Sequence, residues 1–222
     1  MFNVVEKFVS INGEGIHAGE LTVFIRFHKC NLECSYCDSM WANSNDAILD
    51  VMTIDDILDY LDEVNIERVT LTGGEPLMQK GMAELLIALS EESYKVEVET
   101  NGSIDLREFK DLSLMGLTFT VNYKLPSSLM EAKMLPRNLN NLNYGDVIKF
   151  PAGSCEDLDK FRELVNKNKL LDTTLVILSP SFNEMDPKDL VNYIVKYNMN
   201  GVKIQLQMHK YIWTKENYRK IG

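Results

Sequence analysis

The chain has 222 residues and carries 23 Lys and Arg against 33 Asp and Glu, a formal net charge of −10 that argues against nucleic acid as a partner. Hydrophobic residues make up 45% of it and charged residues 25%, which excludes a disordered or low-complexity chain and fits one globular domain over residues 1–222. The longest apolar stretches, such as 85–89, are far shorter than the roughly 20 residues of a membrane span, so no membrane partner is expected.

Strands and helices alternate along the chain. A β-branched segment at 21–27 predicts a strand, and apolar residues at helical spacing predict a helix over 54–64 with Thr53 as its N-cap. Six further strands are predicted at 68–72, 95–100, 117–122, 146–150, 173–178 and 201–206. Three further helices are predicted at 81–91, 155–168 and 187–197, and 126–144 is interpreted as an irregular insertion.

Seven strands that alternate with helices predict an α/β fold with mostly parallel strands. In such folds the chemistry lies at the carboxyl ends of the strands. Polar clusters follow five of the predicted strands, after Phe27 and at 72–76, 99–101, 122–124 and 179–180. Packing alone does not explain this repetition, so the sequence predicts a functional site at that edge of the sheet.

Three of the four cysteines form a C-x3-C-x2-C pattern. They are Cys30, Cys34 and Cys37, whereas Cys155 is interpreted as an ordinary helix-start or buried thiol. No signal-peptide segment is present in residues 1–15, so we expect a cytoplasmic protein whose clustered thiols bind metal. Three thiolates suit a 4Fe–4S cluster with one open iron. A structural zinc with His28 as fourth ligand, and three thiols without metal, remain alternatives.

A second motif, TGGEP, follows the cysteine pattern along the chain. Tyr36 precedes the last cysteine, and 72–76 reads TGGEP at the end of a predicted strand. This pair of motifs resembles the radical S-adenosylmethionine (SAM) enzymes. The resemblance implies an incomplete TIM-like radical SAM barrel. It also implies a 4Fe–4S cluster and SAM as cofactors, which together generate a 5′-deoxyadenosyl radical that abstracts hydrogen from the substrate.

The resemblance to radical SAM enzymes also implies the residues that hold these cofactors. The cluster ligands would be Cys30, Cys34 and Cys37. The residues expected around SAM are Tyr36, Cys37, Asp38, Gly74, Glu75, Glu99, Asn122, Tyr123, Lys124 and Ser179. For Glu99, a solvated carboxylate at the end of its strand is the alternative interpretation.

Further segments narrow the resemblance to one family. They are INGEG at 11–15, CDS at 37–39, ETNG at 99–102 and QLQMHK at 205–210. Together with TGGEP they resemble the 7-carboxy-7-deazaguanine synthases over nearly the whole chain. That resemblance implies a lyase of 7-deazapurine (queuosine) biosynthesis. Its reaction would turn 6-carboxy-5,6,7,8-tetrahydropterin into 7-carboxy-7-deazaguanine through hydrogen abstraction, ring contraction and loss of ammonia.

The same family resemblance implies a substrate site and a magnesium site. The residues expected to contact the pterin are Ile11, Asn12, Gly13, Glu14, Arg26, Thr72, His209 and Lys210. Mg²⁺ is expected on the Ser39 hydroxyl and on substrate oxygens, because it is a hard cation. Asn12 and Ser39 stand where the family usually has Gln and Thr.

Each of these substrate-site roles has a plainer alternative. Arg26 could form a surface ion pair, His209 could lie in a solvated loop, and Gly13 and Gly15 could only shape a turn.

The resemblance extends to partners. A homodimer is expected, in line with the most common form of oligomer, together with a flavodoxin-like electron donor. Two other functions remain open: another small radical SAM enzyme, such as a glycyl-radical activase, and a non-enzymatic zinc-binding module.

Overall fold

The computed structural model describes residues 1–213, which build a nine-stranded sheet flanked by helices. The strands are β1 (Phe2–Ile11), β2 (Leu21–Phe27), β3 (Asp50–Met52), β4 (Arg68–Gly73), β5 (Lys95–Thr100), β6 (Leu117–Asn122), β7 (Val147–Ala152), β8 (Leu175–Pro180) and β9 (Lys203–Ile204). The helices are α1 (Ile54–Val64), α2 (Met82–Glu91), α3 (Arg107–Lys110), α4 (Cys155–Lys167), α5 (Pro187–Lys196) and α6 (His209–Ile212). None of the helices within residues 1–213 is long and apolar enough to cross a membrane.

The sheet is open and mostly parallel. Its strand order is β3-β1-β2-β4-β5-β6-β7-β8-β9. Only the pairings of β1 with β2 and β3 are antiparallel, and every pairing from β2 to β9 is parallel. The predicted α/β class, with mostly parallel strands in a barrel that does not close, is confirmed.

Every predicted strand and helix is present, with ends within two residues of the prediction. Helix α1 begins after Thr53, whose hydroxyl accepts from the backbone N–H of Asp56 while the Asp56 carboxylate accepts from the N–H of Thr53. This reciprocal capping fixes the start of the helix. Segment 126–144 contains only short 3-10 turns, as an irregular insertion should.

Two strands, β1 and β3, were not predicted. A register shift between Val4 and Glu6 interrupts β1, so its inward and outward residues do not follow a single period of two. Strand β3 has only three residues, too few to show a pattern. Both lie on the antiparallel side of the sheet, outside the alternation of strands and helices from which the parallel strands were predicted.

The two faces of the parallel strands differ sharply in polarity, because successive side chains point to opposite faces. One face is apolar and contributes to a continuous core with the helices. It includes Ile25, Leu71, Val98, Val121, Phe150 and Leu178, all buried. The opposite face carries polar side chains at the neighbouring positions, including Arg26, Thr72, Glu99, Asn122 and Lys149. The sheet therefore encloses a polar interior.

The deepest part of that interior is a chain of buried polar side chains. The hydroxyl of Thr22 lies 3.0 Å from that of Thr70, which donates to Asn12 Oδ1 at 3.1 Å. Asn12 Nδ2 donates to Glu97 Oε2 at 2.9 Å, and Thr120 Oγ1 donates to Glu97 Oε1 at 2.5 Å. All five residues are buried. We call these five residues the polar floor.

A segment near the C-terminus covers the open side of the sheet. The Gln205 side chain accepts from the backbone N–H of Gly15 at 2.7 Å and donates to the Gly15 carbonyl at 2.9 Å. The backbone N–H of Met208 donates to the carbonyl of Gly13 at 3.1 Å. These bonds join the two ends of the open barrel without an additional strand.

We expect Glu97→Gln to stabilise the protein above neutral pH. Burial, reinforced by the nearby Glu99 carboxylate, raises the pKa of Glu97 from 4.5 to about 7. The protonated carboxyl therefore favours the folded state fully below pH 4.5, and this contribution is lost as the pH rises through 7. Its size is roughly 3 kcal/mol at 1.36 kcal/mol per pKa unit. Glutamine keeps partners for Asn12 and Thr120 without the charge.

Urea unfolding of the cluster-free protein at about pH 5 and about pH 8 measures this effect. The loss of unfolding free energy over that interval should be smaller in Glu97→Gln by roughly 3 kcal/mol. The exposed Glu91 on α2 gives a matched control, and Glu91→Gln should leave the wild-type pH dependence unchanged. Identical pH slopes in wild type and Glu97→Gln would contradict the prediction.

Candidate active site

A cavity of about 510 Å³ opens at the carboxyl ends of the parallel strands. This volume is in the usual range for a small-molecule site. Its wall contains all but three of the residues predicted to bind cofactors, metal or substrate. The predicted residues found in the wall are Ile11, Gly13, Glu14, Arg26, Cys30, Cys34, Tyr36, Cys37, Asp38, Ser39, Thr72, Gly74, Glu99, Asn122, Lys124, Ser179, His209 and Lys210. The fold thus brings residues from both ends of the sequence to one place.

The three remaining predicted site residues, Asn12, Glu75 and Tyr123, have buried side chains behind the cavity wall. Asn12 belongs to the polar floor. The Tyr123 ring packs against Phe150 with 5.5 Å between ring centroids. These three side chains therefore support the wall residues from behind in this structure.

The cysteine loop places three free thiols in the cavity wall. Cys30, Cys34 and Cys37 are each partly buried, and burial raises the pKa of the Cys30 and Cys34 thiols. Cys155 is exposed at the first position of α4, so it is the helix-start thiol and not a buried one. A set of three thiols is soft donor chemistry, which fits an iron–sulfur cluster.

The histidine of the zinc alternative lies apart from the cavity that the three thiols line. His28 is buried, and its Nε2 lies 2.9 Å from the carbonyl oxygen of Ser44, outside the cavity wall. Within residues 1–213, no three Cys, His, Asp or Glu side chains are grouped to hold a single metal ion. The thiols are instead distributed around a shared volume.

The TGGEP segment is in direct backbone contact with the start of the cysteine loop. A Cβ on Gly73 would lie 2.4 Å from backbone atoms of Phe27, and a Cβ on Gly74 would lie 1.8 Å from the carbonyl oxygen of Lys29. The backbone N–H of Glu75 donates to that same carbonyl at 2.8 Å. Only glycine permits this approach, so the two glycines are required by the packing of the loop itself.

The buried Glu75 carboxylate connects TGGEP to ETNG. It accepts from the backbone N–H of Leu77 at 3.1 Å, the Thr100 hydroxyl at 2.8 Å and the backbone N–H of Asn101 at 2.7 Å. Burial raises the pKa of Glu75 to about 7, against the effect of these three donors. The carboxylate thereby fixes the strand ends of β4 and β5 relative to each other.

Arg26 and Glu99 lie on neighbouring parts of the wall, and each has a partner. Arg26 Nε donates to Glu6 Oε1 at 2.6 Å, so it faces the cavity and is ion-paired at the same time. Glu99 Oε2 accepts from the Thr72 hydroxyl at 2.8 Å. Burial raises the pKa of Glu99, while Thr72 and Arg26 oppose the shift. Glu99 is therefore a partly buried, hydrogen-bonded wall residue and not a solvated carboxylate.

The C-terminal QLQMHK segment completes the rim of the cavity. Lys210 Nζ donates to Asp38 Oδ2 at 2.6 Å, and this ammonium outweighs the effect of burial to hold the pKa of Asp38 below its usual value. Burial and the adjacent Lys210 charge lower the pKa of His209 to about 4, so its imidazole is neutral at pH 7. A Cβ on Gly13 would lie 2.5 Å from His209 Nδ1, which explains glycine there.

Lys149 on β7 is a cavity residue that the sequence reading missed. Its buried ammonium is ion-paired with Glu14, whose other carboxylate oxygen accepts from Gln207 Nε2 at 2.6 Å. Burial and the nearby Lys210 charge lower the pKa of Lys149. A single lysine in an otherwise apolar strand, VIKFPA, was the available signal.

An aromatic pair on the same wall was also missed. Phe8 on β1 stacks on Phe24 on β2, with 5.0 Å between ring centroids and 14° between ring planes. Phe24 shares the inward face with Arg26 two residues later, but Phe8 belongs to the unpredicted strand. The pair offers a flat apolar surface beside the charged groups.

Comparisons with known proteins agree with this geometry. The Radical SAM superfamily matches residues 24–127, which contain the cysteine loop, TGGEP and ETNG. The 7-carboxy-7-deazaguanine synthase of Clostridium acetobutylicum is 46% identical over 213 residues, 96% of each chain. The enzyme of the same name from Leptospira interrogans is 34% identical and covers 95% of each chain.

Solved structures show the same fold. The crystal structure of QueE from Escherichia coli matches with a TM-score of 0.74 at 20% identity, over 94% of each chain. Streptococcus suis SuiB bound to S-adenosylmethionine matches with a TM-score of 0.55 at 16% identity, over 80% of this chain and 45% of that one. Full-length sequence similarity, together with the three-thiol cavity, decides the assignment: the chain belongs to the 7-carboxy-7-deazaguanine synthase family of the radical SAM superfamily.

Proposed function

We propose that this radical SAM lyase converts 6-carboxy-5,6,7,8-tetrahydropterin to 7-carboxy-7-deazaguanine and ammonia in 7-deazapurine biosynthesis. The observation that carries the proposal is the set of residues that line the cavity at the carboxyl ends of the strands. Three free thiols lie in its wall together with the Glu14 carboxylate and the Arg26 guanidinium, each of which has its own ion-pair partner. These groups support both radical chemistry and the recognition of a polar, carboxylated heterocycle in one cavity.

Radical SAM enzymes use a 4Fe–4S cluster and SAM, and the residues present fit both groups. Cys30, Cys34 and Cys37 would hold the cluster and leave one iron open. The wall residues expected around SAM are Tyr36, Asp38, Gly74, Glu99, Asn122, Lys124 and Ser179. When bound, the two groups supply the 5′-deoxyadenosyl radical that abstracts hydrogen. The protein binds, orients and keeps water away from the reacting atoms.

The substrate end of the cavity is provided by the chain's own charged groups. The Glu14 carboxylate, held by Lys149 and Gln207, is suited to accept hydrogen bonds from the N–H groups of a pterin edge. The Arg26 guanidinium is suited to pair with the pterin carboxylate. Neutral His209 adds a ring that both donates and accepts. These groups orient the ring for hydrogen abstraction at C6.

Mg²⁺, a homodimer and a flavodoxin-like electron donor complete the proposal. Ser39 lies in the cavity wall, and its hydroxyl is an oxygen donor of the kind that Mg²⁺ prefers; substrate oxygens would complete the site. The dimer and the electron donor rest on the family resemblance.

Anaerobic turnover of the reconstituted enzyme with the carboxy-tetrahydropterin tests the proposed function. We expect 7-carboxy-7-deazaguanine and ammonia, with a higher rate when Mg²⁺ is present. Formation of 5′-deoxyadenosine without any deazapurine would overturn the substrate assignment and favour another radical SAM reaction, such as glycyl-radical activation. A protein that binds one zinc and no sulfide would overturn the cluster itself.

Cys34→Ala should abolish cluster binding and turnover, because the cluster would lose one of three thiolates. Cys155→Ala is the matched control, since its exposed thiol on α4 is separate from the cavity, and it should leave both unchanged. Iron and sulfide analysis and 5′-deoxyadenosine formation are the measurements. Full turnover in Cys34→Ala would refute its role as a ligand.

Ser39→Ala should weaken the response to Mg²⁺. Removal of one oxygen ligand should raise the Mg²⁺ concentration for half-maximal rate by about tenfold, equivalent to roughly 1.4 kcal/mol. Ser39→Thr keeps the hydroxyl and should retain the wild-type Mg²⁺ dependence. A titration of the rate with Mg²⁺ distinguishes the two, and equal curves for wild type and Ser39→Ala would argue against the site.

Lys149→Met should weaken substrate binding. Loss of the ammonium leaves the buried Glu14 without its cation, which favours a neutral carboxyl that accepts hydrogen bonds from the pterin more weakly. A hydrogen bond to a charged group contributes about 2 kcal/mol, so KM for the pterin should rise roughly 30-fold. Substrate-independent formation of 5′-deoxyadenosine should persist. Lys203→Met, on exposed β9, is the control and should keep the wild-type KM. An unchanged KM in Lys149→Met would mean that Glu14 does not need the lysine.

A further inference from the structure

The Asn101 side chain is in contact with one of the three cavity thiols. Asn101 follows β5, is 93% buried and lies in the cavity wall. Its Nδ2 donates to Cys30 Sγ at 3.4 Å and to Asn31 Oδ1 at 2.9 Å. The backbone N–H of Leu32 donates to the same sulfur at 3.4 Å. Cys30 therefore receives two N–H donors, one of them from a separate segment of the chain.

The orientation of the Asn101 amide is determined from both sides. Its Oδ1 accepts from the backbone N–H of Ser103 at 2.9 Å, so its NH₂ group must face the sulfur. The backbone N–H of Asn101 donates to the buried Glu75 carboxylate at 2.7 Å. Glu75 in turn donates its own backbone N–H to the carbonyl of Lys29, next to Cys30. The amide and the sulfur are thus held on one hydrogen-bonded frame.

We propose that Asn101 is a positioning residue that sets the reduction potential of the cluster through its N–H···S bond to Cys30. One-electron reduction adds negative charge to a cluster and its thiolates, and N–H donors stabilise that charge. The bond therefore favours the reduced state and raises the potential. This inference rests on the proposed binding of the cluster by Cys30.

Asn101→Asp is the sharpest variant. Aspartate has the same size and can still accept from Ser103, but it removes the donor and adds a negative charge beside the sulfur. Asn101→Ala removes the donor alone. Ser103→Ala is the matched control, because it keeps the backbone N–H that orients Asn101 and loses only the hydroxyl that Asn31 Nδ2 contacts at 2.7 Å.

Redox titration of the reconstituted holoenzymes with dithionite, followed by the paramagnetic signal of the reduced cluster, measures the effect. At a fixed potential we expect the ratio of reduced to oxidised cluster to fall at least threefold in Asn101→Asp. A threefold change corresponds to about 28 mV at 59 mV per tenfold for one electron. Asn101→Ala should shift in the same direction by a smaller amount, and Ser103→Ala should match the wild type.

Iron and sulfide content separates the possible failures. A wild-type protein without iron and sulfide would overturn the proposed function together with this inference. Wild-type and Asn101→Asp proteins with equal cluster content and reduced-to-oxidised ratios within threefold would overturn this inference alone. If Asn101→Asp does not retain a cluster, Asn101→Ala decides: a ratio of reduced to oxidised cluster lower than that of the wild type supports the role, and an equal ratio refutes it.

Discussion

The constraint on which the rest of the structure depends is the polar interior of the sheet. Alternation along parallel strands turns one face toward the apolar core and the other toward the cavity, so every charged residue on the inner face must find a partner or shift its pKa. In the polar floor, the pKa of Glu97 is raised, which favours a neutral carboxyl among hydroxyl and amide groups. Nearer the rim, Arg26 and Lys149 are paired with carboxylates.

In this arrangement the number of charged groups in the interior increases from the polar floor to the opening of the cavity. At the depth of Glu97 the contacts are hydrogen bonds with Thr120 and Asn12, and from Asn12 on to Thr70 and Thr22. Burial favours the neutral form of Glu97 in this floor. One register step closer to the opening, Thr72 and Glu99 face each other. At the opening are the ion pairs and the thiols. A ligand that enters the cavity would therefore meet a preformed, charge-bearing rim above this floor.

The sequence predicted this fold well where local signals and tertiary structure agree. Helix α1 begins at Thr53 because its capping is local, and the five polar strand ends meet because parallel strands place them at one edge. Strand β1 was missed because the shift between Val4 and Glu6 breaks its alternation. Lys149 was missed because its importance depends on Glu14, 135 residues away in the chain, across an enclosed space.

The sequence motifs predicted which residues lie at the cavity, but not whether each side chain faces the cavity or lies behind its wall. Glu75 and Asn12 occupy motif positions, yet both side chains lie behind the wall and support others. Gly73 and Gly74 are required by contact with Phe27 and Lys29, so part of the TGGEP pattern reflects loop packing. A motif records which residues a site needs, and only the three-dimensional structure separates those that face the cavity from those that hold them.

Preformed ion pairs also bear on selectivity. Arg26 is already bonded to Glu6, and Lys149 to Glu14, so a ligand gains little from the charge of either cation unless its own groups replace or share the existing partner. A ligand that carries a carboxylate for Arg26 and an N–H edge for Glu14 satisfies both ends at once. One that offers only a carboxylate leaves Glu14 without a new donor, and one that offers only N–H groups leaves Arg26 with Glu6. The paired rim thus favours molecules that combine the two features at a fixed separation, because any other molecule leaves an existing pair in place and gains little from its charge.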